Sequence, residues 1–244
     1  MASADRPTIL FLCLDEAEEH ALYSLHEDVT SSIKERAHVL VATTPAKALA
    51  HLNAAAAARP SVVLIGDGAL TRSPGEEVGI TGHNNRIKDE ERKQYGLVYA
   101  ALGFYVRAGG VAIFCEQFSS TASLPHMEMV FSTAFDLPWK AHAYHRSTFV
   151  LRPENVRRMT AQAAELASEC SQKGVTLAGV AEKDRLYVPT RDSHVESFVF
   201  APAPIGQDET PMAWAEVGEG MVGYVGDVNH EEEGEKVLLA MCGL

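Results

Sequence analysis

Hydrophobic positions along this chain alternate between two kinds of pattern. Thr8 to Leu14 is a continuous apolar run, the signature of a strand buried on both faces of a parallel sheet. His38 to Ala42 and Ser61 to Ile65 repeat it, and Val111 to Phe114 and Met221 to Val225 are shorter versions. Between them lie helical stretches. Pro45 to Ala58 is alanine-rich, with Thr44 as N-cap and Pro45 at the first helical position. Asp89 to Arg107 carries Tyr95, Val98, Tyr99, Leu102, Tyr105 and Val106 on one face, opens with an acidic turn and stops at Gly109-Gly110. Pro153 to Lys173 is predicted as a helix burying Val156, Met159, Ala163, Leu166 and Cys170, and Glu231 to Met241 as a closing helix. Short strands are expected at Leu177 to Val180, Leu186 to Val188 and Ser197 to Phe200, and a loop over Pro202 to Pro211. Ser119 to Arg152 reads as irregular. Strand–helix alternation of this kind predicts an α/β fold with a mostly parallel central sheet. No linker or repeat interrupts it, so residues 1–244 are expected to form a single domain.

In such sheets ligands bind beyond the carboxyl ends of the strands. Asp15, Gly66-Asp67-Gly68 and Cys115 follow strand ends and are expected on one rim. The acidic stretch Asp15, Glu16, Glu18 and Glu19 has two readings: capping of a following helix, or a carboxylate supplied to a site. The polar segment 69–87 is long for a connection, which fits either a functional loop or a surface insertion.

Composition narrows the partners. A net charge of −12, from 21 basic and 33 acidic residues, opposes a phosphate-backbone partner, because nucleic-acid binding relies on Lys and Arg. No apolar run approaches the roughly 20 residues that span a bilayer, and Met1 to Thr8 lacks the signature of a secretory signal. Cys13, Cys115, Cys170 and Cys242 show no C-x-x-C spacing, a pattern from which no structural zinc site and no disulfide framework follows. Cys13 and Cys170 read as small buried hydrophobes. A cytoplasmic protein is expected, with a small-molecule ligand, no nucleic acid, no membrane and no cofactor; a homodimer is an option.

The candidate chemistry lies in Cys115 and His230-Glu231-Glu232. A thiol at one strand end and a His-x-Glu after a later strand supply the parts of a Cys-His-Glu triad, with Cys115 as nucleophile, His230 as base and Glu232 as its orienter. The acidic run from Glu231 to Glu233 equally suits the first turn of a helix. His194-Val195-Glu196 is a rival His-x-Glu, but it precedes a strand. His126 and Glu128 with His142 or His145 would form a two-His-one-carboxylate set, although no metal is assigned. Phe131, Phe135, Trp139 and Tyr144 either wall a pocket or, more commonly for such residues, cover the sheet.

Pro211-x-x-Trp214, followed by Gly218-x-Gly220-x-Val222-x-Tyr224-x-Gly226-Asp227-x-x-His230, resembles the C-terminal part of the trehalose-utilisation (ThuA-like) family of the class I glutamine-amidotransferase-like superfamily. Tyr105-Val106-x-x-Gly109-Gly110 resembles its helix-to-strand junction. The resemblance implies a flavodoxin-like three-layer α/β/α sandwich, and by position it maps the superfamily's nucleophile and His-x-Glu onto Cys115, His230 and Glu232. Backbone N–H groups near Gly66, Asp67 and Gly68, with Glu116 and Gln117 after the thiol, would then bind oxyanion or substrate. The chain departs from glutaminases in lacking glycines beside the thiol, where Phe114 and Glu116-Gln117-Phe118 stand, and Glu116 would raise the thiol pKa if turned inward. The expected activity is therefore not glutamine hydrolysis. It is a Cys-dependent hydrolase or addition–elimination reaction at a carbonyl-type carbon, with a non-catalytic binding or scaffold protein, or a ThuA-like sugar-acting protein, as the alternatives.

Overall fold

The computed structural model describes residues 6–14, 27–72, 89–156, 159, 165–199 and 201–244. A six-stranded sheet forms its centre, with β1 (Thr8–Leu12), β2 (His38–Ala42), β3 (Val62–Ile65), β4 (Val111–Phe114), β8 (Met212–Val217) and β9 (Gly220–Val225) in the order β2-β1-β3-β4-β9-β8. The first five positions are parallel, and β8 returns antiparallel as the hairpin partner of β9. This is the flavodoxin-like order with one added edge strand.

Alternation along each strand divides the core into two layers. Leu10, Leu12, Val63, Ile65, Ala112 and Phe114 face α2 (Pro45–Leu52), α3 (Asp89–Arg107) and α5 (Met127–Phe135). Ile9, Phe11, Val62, Leu64, Ile113 and Cys115 face α1 (Glu27–Arg36) and the closing helix α7 (Glu232–Cys242). Burial on both faces is why these strands are apolar throughout. Thr44 caps α2 by accepting the Lys47 N–H, with Pro45 behind it, as expected. Tyr105 locks the end of α3 to the start of β4, its hydroxyl accepting the Val111 N–H and reaching the Pro60 carbonyl.

The middle of the chain differs from the sequence expectation. Ser119 to Arg152 is regular: after the short helix α4 (Phe118–Thr121) come α5 and the 12-residue strand β5 (Lys140–Leu151). Strand β5 is hidden in the sequence because its more buried face carries His145 and buried Ser147 where alternation would show apolar residues. Among the described residues, the helix expected over Pro153 to Lys173 is α6 (Pro153–Val156), and Cys170 sits in strand β6 (Glu169–Ala178). Residues 157–158 and 160–164 of that expectation lie outside the described residues. Buried Gln172 disguised the two-residue period of β6. Of the strand expected over Ser197 to Phe200, Phe200 lies outside the described residues, Ser197 to Val199 is not strand, and Phe198 and Val199 are exposed.

Strands β6, β5 and β7 (Tyr187–Val188) form a second, antiparallel sheet in that order. It joins the edge of the first through β6. The Val175 N–H donates to the Gly226 carbonyl, Leu177 pairs with Thr210, and the Val228 N–H donates to the Lys173 carbonyl. Strand β6 thereby lies beside the segment that leaves β9. Among the described residues, no helix is long and apolar enough to cross a membrane.

Candidate functional site

The carboxyl ends of β4 and β9 bring Cys115, Glu116, Asp227 and His230 to one small cavity, together with Glu235 and Leu238 of α7. Its volume is about 20 Å³, room for about one water molecule. Cys115 continues β4: its N–H donates to the Ile65 carbonyl, and its side chain follows that of Ile113 into the core facing α7. The thiol is wholly buried, and Sγ lies 3.8 Å from the Ile113 carbonyl oxygen. Burial holds its pKa well above the ordinary thiol value, and Glu116 adds to the rise. A nucleophilic cysteine needs the opposite environment, electropositive and partly exposed.

The turn leaving β4 is made by the next residue. Glu116 has φ +57°, and His230 has the same value on the segment after β9. Only three non-glycine residues among those described have positive φ, the third being Asp136 at the end of α5. Left-handed backbone is disfavoured for residues with a Cβ, and such strain gathers at functional sites. These two strained residues face each other, with His230 Nδ1 3.8 Å from Glu116 Oε2. That distance is within ion-pair range but too long for a direct hydrogen bond.

The charge states decide what kind of contact it is. Burial pushes the Glu116 carboxyl up to about 8, with Glu235 and Asp227 adding to the rise. Burial lowers His230 to about 4. At neutral pH a protonated carboxyl therefore faces a neutral imidazole, and the contact is not an ion pair. Asp227 is raised to about 6, burial outweighing the N–H groups of Asn229, Glu231 and His230 that favour its charged form.

The three glutamates after His230 go separate ways. Glu231 reaches the second sheet, accepting the Lys173 N–H at 3.1 Å and pairing with Arg146. Glu232, expected to orient His230, begins α7 with its side chain 83% exposed and 2.7 Å from Lys236. It radiates from the helix surface, and the structure does not bring it to the imidazole. Glu233 accepts the Tyr187 hydroxyl at 2.6 Å and the Ala167 N–H at 2.7 Å. Cys115 and His230 do share the cavity, but Glu232 does not join them.

Two of the expected oxyanion donors are engaged elsewhere. The Gly66 N–H donates to the Leu12 carbonyl, and the Gly68 N–H to Thr121 Oγ1 at 2.9 Å. Asp67 is buried, and its Oδ1 accepts the Ala69 N–H. Position 68 is glycine for packing, since a Cβ there would lie 2.4 Å from the Ala122 backbone. Gln117 precedes α4, its carbonyl accepting the N–H and hydroxyl of Thr121. Of the residues expected to bind substrate, only Glu116 reaches the cavity.

The other candidates lie apart. His126 bonds to Ser123, and His145 faces buried Glu209 at 3.6 Å. His194 bonds to the Asp192 carbonyl, while Glu196 accepts the hydroxyls of Thr148 and Ser171 on the second sheet. Among the described residues, no three His, Cys, Asp or Glu side chains are grouped to hold a metal ion. Phe131, Phe135 and Trp139 are core residues around Phe114, and Tyr144 is exposed. Asp15 to Glu19 and most of the 69–87 segment lie outside the described residues. Sequence reasoning assigned no role to Asp227 or Glu235. For Asp227 a signal was present: an Asp placed to bond the backbone two residues on is a turn former.

No family model matches the chain, and no curated protein matches it in sequence. Solved structures do match in fold. One is a β-galactosidase from Bacillus circulans sp. alkalophilus, at 11% identity and TM-score 0.51, covering 99% of this chain and 31% of that one. Another is a putative ThuA-like protein from Bacteroides uniformis, at 11% identity and TM-score 0.49, covering 98% of this chain and 91% of the other. A third is a cytoplasmic protein from Salmonella typhimurium LT2, at 10% identity and TM-score 0.48, covering 97% and 96%. This chain thus spans about a third of the β-galactosidase. The likeness is one of fold.

Proposed function

We propose that the protein is a small-molecule enzyme on a flavodoxin-like fold, acting by proton transfer at a carbonyl-type carbon, with Glu116 and His230 as the working pair. Cys115 is in this reading a structural thiol. The observation that carries it is the meeting of two strained residues from separate strand ends, whose environments push their pKa values in opposite directions. Such divergence separates the roles of acid and base. Glu116, protonated at neutral pH, gives its proton to the substrate oxygen. Neutral His230 takes one from the adjacent carbon or from an attacking water. Reversal of both transfers, or passage of the proton from His230 back to Glu116 through solvent once the product has left, restores the starting charges.

The ligand class follows from the same groups. A protonated acid and a neutral base suit an uncharged carbonyl with neighbouring hydroxyls, which includes the sugars of the ThuA-like alternative. The test offers small aldoses and ketoses in deuterated water at pH 7, with exchange beside the carbonyl read by proton NMR. Wild type and Cys115→Ala are expected to accelerate exchange of at least one compound, and Glu116→Gln and His230→Gln to lose it. Loss in Cys115→Ala with retention in Glu116→Gln would reverse the assignment.

A second reading, a non-catalytic binding or scaffold protein, draws on the size of the cavity, which holds about one water. On that reading no compound exchanges faster with wild type than with Glu116→Gln.

A further inference from the structure

The segment after β9 folds around one carboxylate. Asp227 Oδ1 accepts the Asn229 N–H at 2.8 Å, and Oδ2 accepts the Glu231 N–H at 2.6 Å. The His230 N–H between them also favours the ionised carboxylate. Three successive N–H groups can converge on one acceptor only if the chain curls, and His230 at φ +57° supplies the curl. Glu231, the next residue, is tied to Lys173 and Arg146, so the segment is held on the far side as well. Space under the carboxylate is reserved, because a Cβ on Gly234 would lie 2.6 Å from Asp227 Oδ2.

We propose that Asp227 is a positioning residue: by gathering the N–H groups around His230 it holds that residue in its left-handed conformation, with the imidazole turned toward Glu116. The residue has its own place in the architecture. It leaves β9 and pairs with Gly174 of β6, so its backbone is anchored between the two sheets while its side chain organises the turn. Asp227 is buried, and its carboxylate lines the same cavity as the imidazole it places. Its importance for chemistry rests on the reading of Glu116 and His230 as the working pair, but its effect on the backbone does not.

The test exploits the fact that glycine enters left-handed backbone without the penalty an alanine meets there. Four chains are compared by urea unfolding: His230→Gly and His230→Ala, each with Asp227 and with Asp227→Ala. All four lack the imidazole, so catalysis does not enter, and failure of the proposed activity leaves the result intact. With Asp227 present, the glycine chain is expected to have a folding constant about fivefold or more above the alanine chain. With Asp227→Ala that preference is expected to vanish or invert, because the turn relaxes to negative φ. An unchanged preference would mean that the rest of the fold holds the turn, and would overturn the proposal. So would equal stability of the two chains with Asp227 present. In chains that keep His230, Glu116→Gln is expected to shift the His230 ring resonances, and in the Asp227→Ala background to leave them unmoved; an equal shift in both backgrounds counts against the proposal.

Discussion

Replacing Glu116 by Gln is expected to stabilise the protein, increasingly so as the pH rises. The Glu116 carboxyl is raised from its ordinary 4.5 to about 8 by burial and by Glu235 and Asp227, and its side chain is 2% exposed. Because the folded value lies above the unfolded one, the folded protein retains a proton that the unfolded chain has released. Stability is therefore full below about pH 4.5 and falls as pH rises through 8. At about 1.4 kcal/mol per pH step, the cost is on the order of 3 kcal/mol at pH 7 and 5 kcal/mol above pH 8. An amide cannot ionise, so Glu116→Gln removes that cost. Asp227 and His230 titrate in both proteins and cancel to first order. Urea unfolding at pH 5, 6, 7 and 8, read by the fluorescence of the buried Trp139 and Trp214, measures the difference. The advantage of the variant is expected to grow by about 1 kcal/mol or more with each pH step. An advantage that stays flat, or a variant less stable at pH 8 than wild type, would refute the reasoning.

Three further outcomes are expected. Cys115, wholly buried with a raised pKa, should resist iodoacetamide at pH 8 in the native protein and label only after denaturation, as read by peptide mass mapping. Glu232→Ala should change stability by less than about 0.5 kcal/mol and leave any activity intact, since its partner is the exposed Lys236; a strong loss of activity would restore it to the site. Gly68→Ala should destabilise by roughly 1–3 kcal/mol in thermal unfolding, because its Cβ would meet the Ala122 backbone at 2.4 Å, which cannot swing aside as a side chain can.

The parallel strands were legible in the sequence because burial on both faces leaves unbroken apolar runs, as in Thr8–Leu12 and Val62–Ile65. Helix α3 was legible from the spacing of Val98, Leu102, Tyr105 and Val106. The second sheet was not, since β5 carries polar groups on both faces and β6 buries Gln172 where an apolar residue would have shown the period. In the candidate site, Cys115 and His230 line one cavity, and the left-handed turn falls at Glu116, one residue after the expected elbow. Apolar patterning ends at Phe114, and nothing in it distinguishes Cys115, which continues the strand, from Glu116, which makes the turn. The His-x-Glu spacing also misled, because helix α7 starts at Glu232 and turns that side chain away from His230.

The central claim is that a protonated Glu116 faces a neutral His230. Site-specific NMR titration tests it most directly, following the 13C shift of the Glu116 carboxyl and the 15N shifts of the His230 ring across pH 3 to 10. The expected result is a Glu116 midpoint near 8 and a His230 midpoint near 4, so that neither group is charged at pH 7. A carboxylate already ionised at pH 5 beside an imidazolium that persists to pH 7 would make the contact an ordinary ion pair and contradict the account.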